Sequence, residues 1–589
     1  MNRCFDILIR SAQVIDGTGA DRYEADVGIC GGKIVQIGEL GACEAKETVC
    51  AEGLVLTPGF IDAHSHADCT LLLYPQAESC VMQGVTTVVG GNCGYSPAPI
   101  GDKWVAEFWE YDLWDEVCPS VYQLFGGQTI QPIEKVKKVF HDRLGYDVNW
   151  HSFGEFLQEL QNRKIAVNLV PLVGHGQIRA TVMGTDFARE ATAEELEQMR
   201  GYTREAMEAG AFGFSSGLSY LPGVFAPPAE LEELAKIVQS YGGIYATHFN
   251  RADLKTGKGT KIKGIEEAIA IAKSTGIQVE ISHIFSGYDM KPDAPASVAE
   301  ELARKTADVI NQAAADGVKI AFDVIPNVDG GIAHMPNLSV LLHAWLKESG
   351  SMAQFLDNLA AQDYRDAIRA FIEAGKWYML DPVSDPAWDR KTIVIRCRRE
   401  KYEGKSLSEI AAKKGQDSLN TVFALLRDDP DTKIRQIIPE LREEAVKVFI
   451  NDERSLIGSD SFALDDAGPY GKRWPVFAVP HPNTYGAFIR YLCDYPQRLE
   501  DAIHKITGYS AQWFGLQNRG FIREGYQADL VLLDRKALDP MLDYTQPCRY
   551  PKGIQTVIVN GQMTVKDGKH TGARAGCVLK KQKGEGEHE

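Results

Sequence analysis

The chain has 589 residues, of which 44% are hydrophobic and 24% charged, and a formal net charge of −17. That length exceeds one simple core and implies two or three packed units. The acidic balance excludes a nucleic-acid binder, which needs a basic footprint, and no run of roughly 18 apolar residues is present to span a membrane.

Residues 1–57 carry short β-like runs, "FDILIRSAQVID" and "ADVGICGGKIVQIG", broken by turn signals at Asp16-Gly17 and Gly31-Gly32. The opening stretch lacks a basic region followed by a clean apolar one, so it reads as a strand and a turn rather than an export signal. Twelve cysteines are scattered without a Cys-x-x-Cys pair. That pattern fits reduced thiols and a cytoplasmic location.

From 58 to 516, apolar runs alternate with amphipathic stretches, the pattern of a parallel sheet covered by helices. The predicted strands are "FIDAHSH", "TTVVGGN", "AVNLVPLVGHG", "AFGFSSGL", "GIYATHF", "IQVEISH", "KIAFDVIP" and "SLIGSDS". Helices are predicted over Ala193–Gly210, Ala229–Gly242, Gly264–Gly276 and Val298–Gly317. In the third, Ile265, Ala268, Ile269 and Ala272 fall at helical spacing and would cover the sheet. Eight such strands fit an α/β fold of the closed (β/α)₈ TIM-like type. An open doubly wound sheet is the alternative, but no Gly-x-Gly-x-x-Gly opens a helix after the first strand. Two stretches break the alternation, an aromatic-rich one near 100–150 and a long one near 327–452. As insertions after barrel strands, both are expected to lie over the mouth as lids. Residues 517–589 return to short strands, "ADLVLLD" and "IQTVIVNGQMTVKDGKH". One small β-sandwich built from both chain ends is expected, since two separate appendages would each leave an extra edge exposed.

The chemistry is carried by polar residues at the ends of these apolar runs. His64 and His66 stand two apart after the first strand, a spacing that puts both imidazoles on one face. Cys93, His248, His283 and Asp460 follow later strands in the same way, at the rim where barrel active sites sit. Any one of them is explained better by a satisfied buried polar group, but six in the same structural position point to a metal. Imidazole, thiolate and carboxylate suit Zn²⁺, one ion or two. A cation there would deprotonate Cys93, lower the pKa of bound water and polarise a carbonyl. Asp460 would then take a proton from that water and return it to a leaving nitrogen. The serines of "GLSYLPG" lack the Gly-x-Ser-x-Gly elbow of a serine nucleophile.

The segments "LTPGFIDAHSHAD", "GVTTVVGGNCGYSPAP", "NLVPLVGHGQIRATVMG", "SSGLSYLPG", "ATHFNRAD", "IGSD" and "HPNTYGAFIRYL" resemble the N-acyl-D-amino-acid deacylase (D-aminoacylase) family of the amidohydrolase superfamily. The resemblance implies a metal-dependent barrel flanked by a β-sandwich, hydrolysing a linear amide. It implies that Cys93 takes the bridging role that most amidohydrolases give a carboxylated lysine. By position, Cys93, His248 and His283 would hold the tighter zinc. His64, His66 and Asp460 would surround a weaker site, with Asp460 as acid and base. Tyr220 would stand near the substrate carbonyl or equally pack a rim loop, and His175 with Arg179 resemble a further family motif or equally serve structural hydrogen bonding.

The departures bear on the substrate. Where the family often carries a lysine two residues after the last histidine, this chain has Phe285. Tyr-Pro-Tyr becomes Ile325-Pro326-Asn327, His-Pro-Arg becomes His481-Pro482-Asn483, and the arginine of Thr-His-x-Arg falls one place later, at Arg251. Those lysine, tyrosine and arginine side chains are the groups expected to grip the carboxylate of an N-acyl amino acid. Losing such a partner costs on the order of 2–5 kcal/mol of binding. The expected partner is therefore a small amide bound through Tyr220, Arg251, Phe285 and Asn483, with the carboxylate grip altered. In "WVAEFWEYDLW", Trp104, Phe108 and Trp109 fit either a less polar pocket or a helix packed on the barrel. A cyclic-amide hydrolase of dihydroorotase or hydantoinase type, and an inactive barrel used as a scaffold, are the alternatives. Asn92-Cys93-Gly94 speaks against the first and the full ligand set against the second. Self-association into a homo-oligomer stays open.

Overall fold

Why eight strands and not an open sheet follows from how their edges meet. In the computed structural model, which describes residues 4–41, 43–105, 130–144, 147–219, 222–251, 261–291, 294–328, 334–373, 387–437, 441–466, 478–495 and 498–582, eight short strands pair in parallel. They are Phe60–Asp62, Val85–Gly90, Asn168–Gly174, Gly213–Gly217, Ile244–His248, Gln278–Ile281, Ile320–Val324 and Ser455–Ile457. The Ala63 N–H donates to the Ile457 carbonyl at 3.1 Å, joining the eighth strand to the first. The ring closes as the expected (β/α)₈ barrel.

Both faces of these strands are covered, which is why they are buried almost along their whole length. Inside the ring, Ile61, Val89, Val170, Leu172, Ala246, Ala321 and Leu456 share one cluster. Ala511 and Phe514, from helix Ser510–Phe514, join that cluster and pack the floor. Outside, helix Ala193–Ala209 starts at a capping box between Thr192 and Glu195 and stops at Gly210, whose φ is 112°. Helix Lys261–Thr275 buries Ile265, Ala268, Ile269 and Ala272, the residues whose spacing predicted it.

Both chain ends contribute to a nine-stranded sheet. Val55–Pro58 runs antiparallel to Leu530–Leu533, with Leu56 opposite Leu532, and parallel to Cys4–Val14. Ile7, Ile9, Val27, Leu56, Leu530 and Ile558 form its core, each worth roughly 1.5–3 kcal/mol on burial. Only Gly59 separates this sheet from Phe60, so the β layer anchors the barrel strand that leads to His64.

Trp104 lies in the short strand Lys103–Val105, paired antiparallel with Ile130–Pro132, whereas Phe108 and Trp109 lie outside the described residues. The longer insertion has its own apolar core, which includes Leu338, Leu341, Phe355, Val394, Leu407, Val422 and Ile434. Helix Glu443–Ile450, inside the span read as an insertion, packs instead on the barrel, with the Phe449 ring 5.9 Å from Phe322. The strand His334–Pro336 pairs with Ala478–Pro480, the segment leading into His481-Pro482-Asn483. No helix among the described residues is long and apolar enough to cross a membrane.

Candidate metal centre

Each candidate ligand ends or follows a barrel strand, and three of them have an unusual backbone. Cys93, His283 and Asp460 have φ of 56°, 36° and 50°, the left-handed region that non-glycine residues seldom adopt. Such strain concentrates at functional sites because surrounding structure must hold it in place. The glycines beside Cys93 have a steric reason. A Cβ at Gly91 would meet the Leu172 carbonyl oxygen at 1.9 Å, and one at Gly94 the Gly217 nitrogen at 2.6 Å. Asn92 ties the same turn down, its Nδ2 donating to the Val89 carbonyl at 2.9 Å.

The side chains converge. Cys93 Sγ lies 3.4 Å from His64 Nε2, 3.7 Å from His248 Nδ1 and 3.3 Å from His283 Nε2. Asp460 Oδ1 lies 3.0 Å from His66 Nε2 and 3.5 Å from His64 Nε2. Two sets of donor atoms result, His64, His66, Cys93 and Asp460 in one, and Cys93, His248 and His283 in the other, each within 4.8 Å mutually. Nitrogen and sulfur bound to a single tetrahedral zinc stand about 3.5 Å apart, given bonds of ~2.05 and ~2.3 Å. The donor set fits that cation in spacing and in chemistry, and Cys93 is common to both sets.

Charge is arranged to match. Burial by itself would raise the Cys93 pKa, yet His64 and His66 bring the thiol below its ordinary value. Burial likewise opposes ionisation of Asp460, but His64, His66 and Arg251 hold it below the usual carboxylate range. His66 is pushed up to about 9, because contacts with Asp460 and Cys93 outweigh burial. His248 and His283 go the other way, driven well below by burial and by the neighbouring Arg251 guanidinium. The mouth thus pairs an anionic sulfur and carboxylate with two imidazoles held neutral, His248 and His283, and two drawn toward their charged form, His64 and His66, whose protons a bound divalent cation would displace.

Several supporting residues carried no signal in the sequence. Asp323 accepts from His64 Nδ1 at 2.9 Å and from the His283 backbone N–H at 2.8 Å. That bond fixes the His64 tautomer and leaves Nε2 facing the other donors. Asp62 accepts from the Ser459 N–H at 2.9 Å and the His64 N–H at 3.2 Å, linking the first strand to the turn that carries Asp460. Both aspartates sit in apolar runs, where a lone acid gives no hint of its partner.

The other expected residues separate. Arg251 reaches the centre, its Nη2 2.7 Å from His283 Nδ1 and its guanidinium 4.5 Å from the Phe285 ring. Phe285 is buried against Phe249, with ring centroids 5.7 Å apart. Asn483 donates from Nδ2 to the Ser459 carbonyl at 2.7 Å, next to Asp460. Tyr220 lies outside the described residues. His175 and Arg179 join Glu230 in a buried ion network, with His175 Nε2 at 2.7 Å from Glu230.

Comparison with known proteins agrees with this geometry. The Amidohydrolase family model matches residues 47–565. An N-acyl-D-aspartate deacylase of Alcaligenes xylosoxydans xylosoxydans is 30% identical over 98% of this chain and 95% of its own length. A D-aminoacylase from the same organism is 30% identical over 98% of this chain and 97% of its own. The solved structure of an N-acyl-D-glutamate deacylase from Bordetella bronchiseptica, complexed with zinc and a phosphonate inhibitor, superposes with a TM-score of 0.67 at 27% identity. It covers 98% of this chain and 100% of that one.

Proposed function

Because the chain belongs to the amidohydrolase family, on its D-aminoacylase branch, and is a metal-dependent hydrolase of carbon–nitrogen amide bonds, we propose that it cleaves a linear amide with Zn²⁺, through a substrate-carboxylate site altered from that of the N-acyl-D-amino-acid deacylases. The observation that carries this reading is the meeting of two donor sets at one sulfur, Cys93. Cys93, His248 and His283 would hold the tighter zinc, and His64, His66 and Asp460 a second. A cytoplasmic setting agrees with the cysteines, which form no disulfide among the described residues.

Bound zinc supplies an electrophile for the amide carbonyl and lowers the pKa of the attacking water. The remaining work falls to side chains. Asp460 is kept anionic by His64, His66 and Arg251. It accepts the water proton at a carboxylate oxygen and passes it to the nitrogen as the C–N bond breaks. The 3.0 Å contact to His66 Nε2 holds that oxygen in place. Tyr220 donates to the developing oxyanion.

The altered grip rests on Phe285, Asn327 and Asn483, neutral where the family has charged or phenolic groups. Arg251 is the cation left at the centre, seated on Phe285 and Phe249. A hydrolysis screen of N-acyl-D-amino acids against carboxylate-free amides, with and without a chelator, tests the proposal. Turnover that a chelator abolishes and that favours carboxylate-free amides supports it. A clear preference for acylated D-amino acids overturns the altered grip, and chelator-insensitive turnover overturns the metal.

A further inference from the structure

One buried acid inside the barrel has no part in the scheme above. Glu280 stands on the sixth barrel strand, level with Ala246 on one side and Ala321 on the other. Both alanines face the barrel interior, so Glu280 faces it too, and their small side chains leave room for a carboxyl. The residue is completely buried, and among the described residues neither carboxyl oxygen has a hydrogen-bond partner. An ionised carboxylate so placed would lose its hydration with nothing to replace it. It therefore keeps its proton, a state reinforced by burial and by the Asp323 charge, with His64 opposing. The other titratable groups within its reach are Cys93, from the second strand's loop, and Tyr509, below it on the barrel floor.

A neutral carboxyl carries one O–H, and leaving that donor unpaired in a buried site is itself unfavourable. The acceptor facing it is Asp323, one residue pair higher on the adjoining strand. Asp323 uses one oxygen on His64 Nδ1 and the other on the His283 N–H, and each oxygen has a second lone pair to offer.

We propose that Glu280 is a positioning residue for the metal centre: its O–H, handed to Asp323, locks the carboxylate that orients His64 and braces the turn carrying His283. The inference rests on the reading of the cluster as a zinc site. Groups that orient a metal-binding histidine typically change metal affinity 10- to 100-fold when removed.

The test is zinc affinity of the full-length protein, measured by competition against a chromophoric chelator, beside thermal unfolding of the metal-free chain. Glu280→Leu fills the same space without a donor, and it should keep or raise the melting temperature while weakening zinc binding about tenfold or more. Glu280→Gln keeps an N–H donor toward Asp323 and should restore affinity to within about threefold of wild type. Wild-type affinity in Glu280→Leu overturns the inference, as does a Glu280→Gln variant as weak as Glu280→Leu. A wild-type chain that takes up no zinc overturns the zinc reading itself, which separates that failure from this one.

Discussion

Two buried polar clusters solve the same problem in opposite ways. In the His175–Glu230–Arg179 network, one carboxylate serves two partners. Glu230 binds His175 Nε2 through one oxygen and Arg179 through the other, and Arg179 also donates to the Phe187 carbonyl at 3.1 Å. Burial disfavours the Glu230 charge, but His175 and Arg179 overcome it and hold its pKa low. The charges cancel internally. Around Cys93, by contrast, imidazoles, a sulfur and a carboxylate aim their donor atoms at shared space, and three of the six proposed ligands are held in left-handed backbone. The first cluster supplies its own counter-charge, and the second is shaped around a cation. Polarity and burial do not distinguish them; the direction of the lone pairs does.

The largest expected effect breaks the second cluster. Asp460→Asn should lower kcat at least about a hundredfold, the ordinary contribution of a general acid–base group. Asparagine keeps an oxygen toward His66, so zinc content, read by elemental analysis, should stay near wild type, and stability should move by no more than about 1 kcal/mol. Cys93→Ala should lower zinc content together with rate. Undiminished zinc in that variant would argue against ligation by sulfur.

The mirror experiment breaks the first cluster. Glu230→Ala leaves Arg179 and His175 buried without their counter-charge, which costs about 3–5 kcal/mol, read as a fall in the urea midpoint of the metal-free protein. Zinc affinity of the folded fraction should be unchanged. A loss of zinc with stability intact would move Glu230 from the structural cluster to the functional one.

This division also explains what could be read before any coordinates. His64, His66, Cys93, His248, His283 and Asp460 were visible because each interrupts or ends an apolar run, and a strand's end has a known place in a closed barrel. The helices were visible for the same reason, as with Ile265 and Ala272. Asp323 and Glu280 were hidden, although each stands in a quoted strand, "KIAFDVIP" and "IQVEISH". A carboxyl inside such a run reads only as a buried polar group. Its partner lies on another strand, and the pairing exists only after the ring closes at Ala63 and Ile457. Arg251 was legible as a departure by one position, but its perch on Phe285 was not, since that contact joins the ends of two strands.

A further buried acid tests whether burial can hold a proton on a carboxyl that only backbone N–H groups address. Asp465 is pushed up to about 7 by burial, only partly offset by the backbone N–H groups of Gln76 and Glu78, and further raised by the nearby Glu78 charge. Unfolded, it titrates near 3.9. The folded chain therefore binds the extra proton between about pH 4 and 7, so stability falls as pH rises through that window. The drop amounts to at most a few kcal/mol. Asp465→Asn should flatten it, measured as urea midpoints at pH 5 and 7.5. An unchanged slope would mean that the charge is compensated after all.

The smallest effect concerns the rim. Arg251 lies over Phe285 and Phe249, and Lys261 Nζ stands 5.7 Å from the Phe285 ring. An aromatic face beneath a cation contributes about 0.5–1 kcal/mol when partly exposed. Phe285→Leu keeps the apolar volume and removes that face. If Arg251 meets the substrate while the ligands carry out the chemistry, KM should rise about two- to fivefold at constant kcat. A fall in kcat with KM unchanged would place the Phe285–Arg251 pair with the reacting groups, since the contact of Arg251 with His283 would then be steering a zinc ligand rather than a substrate.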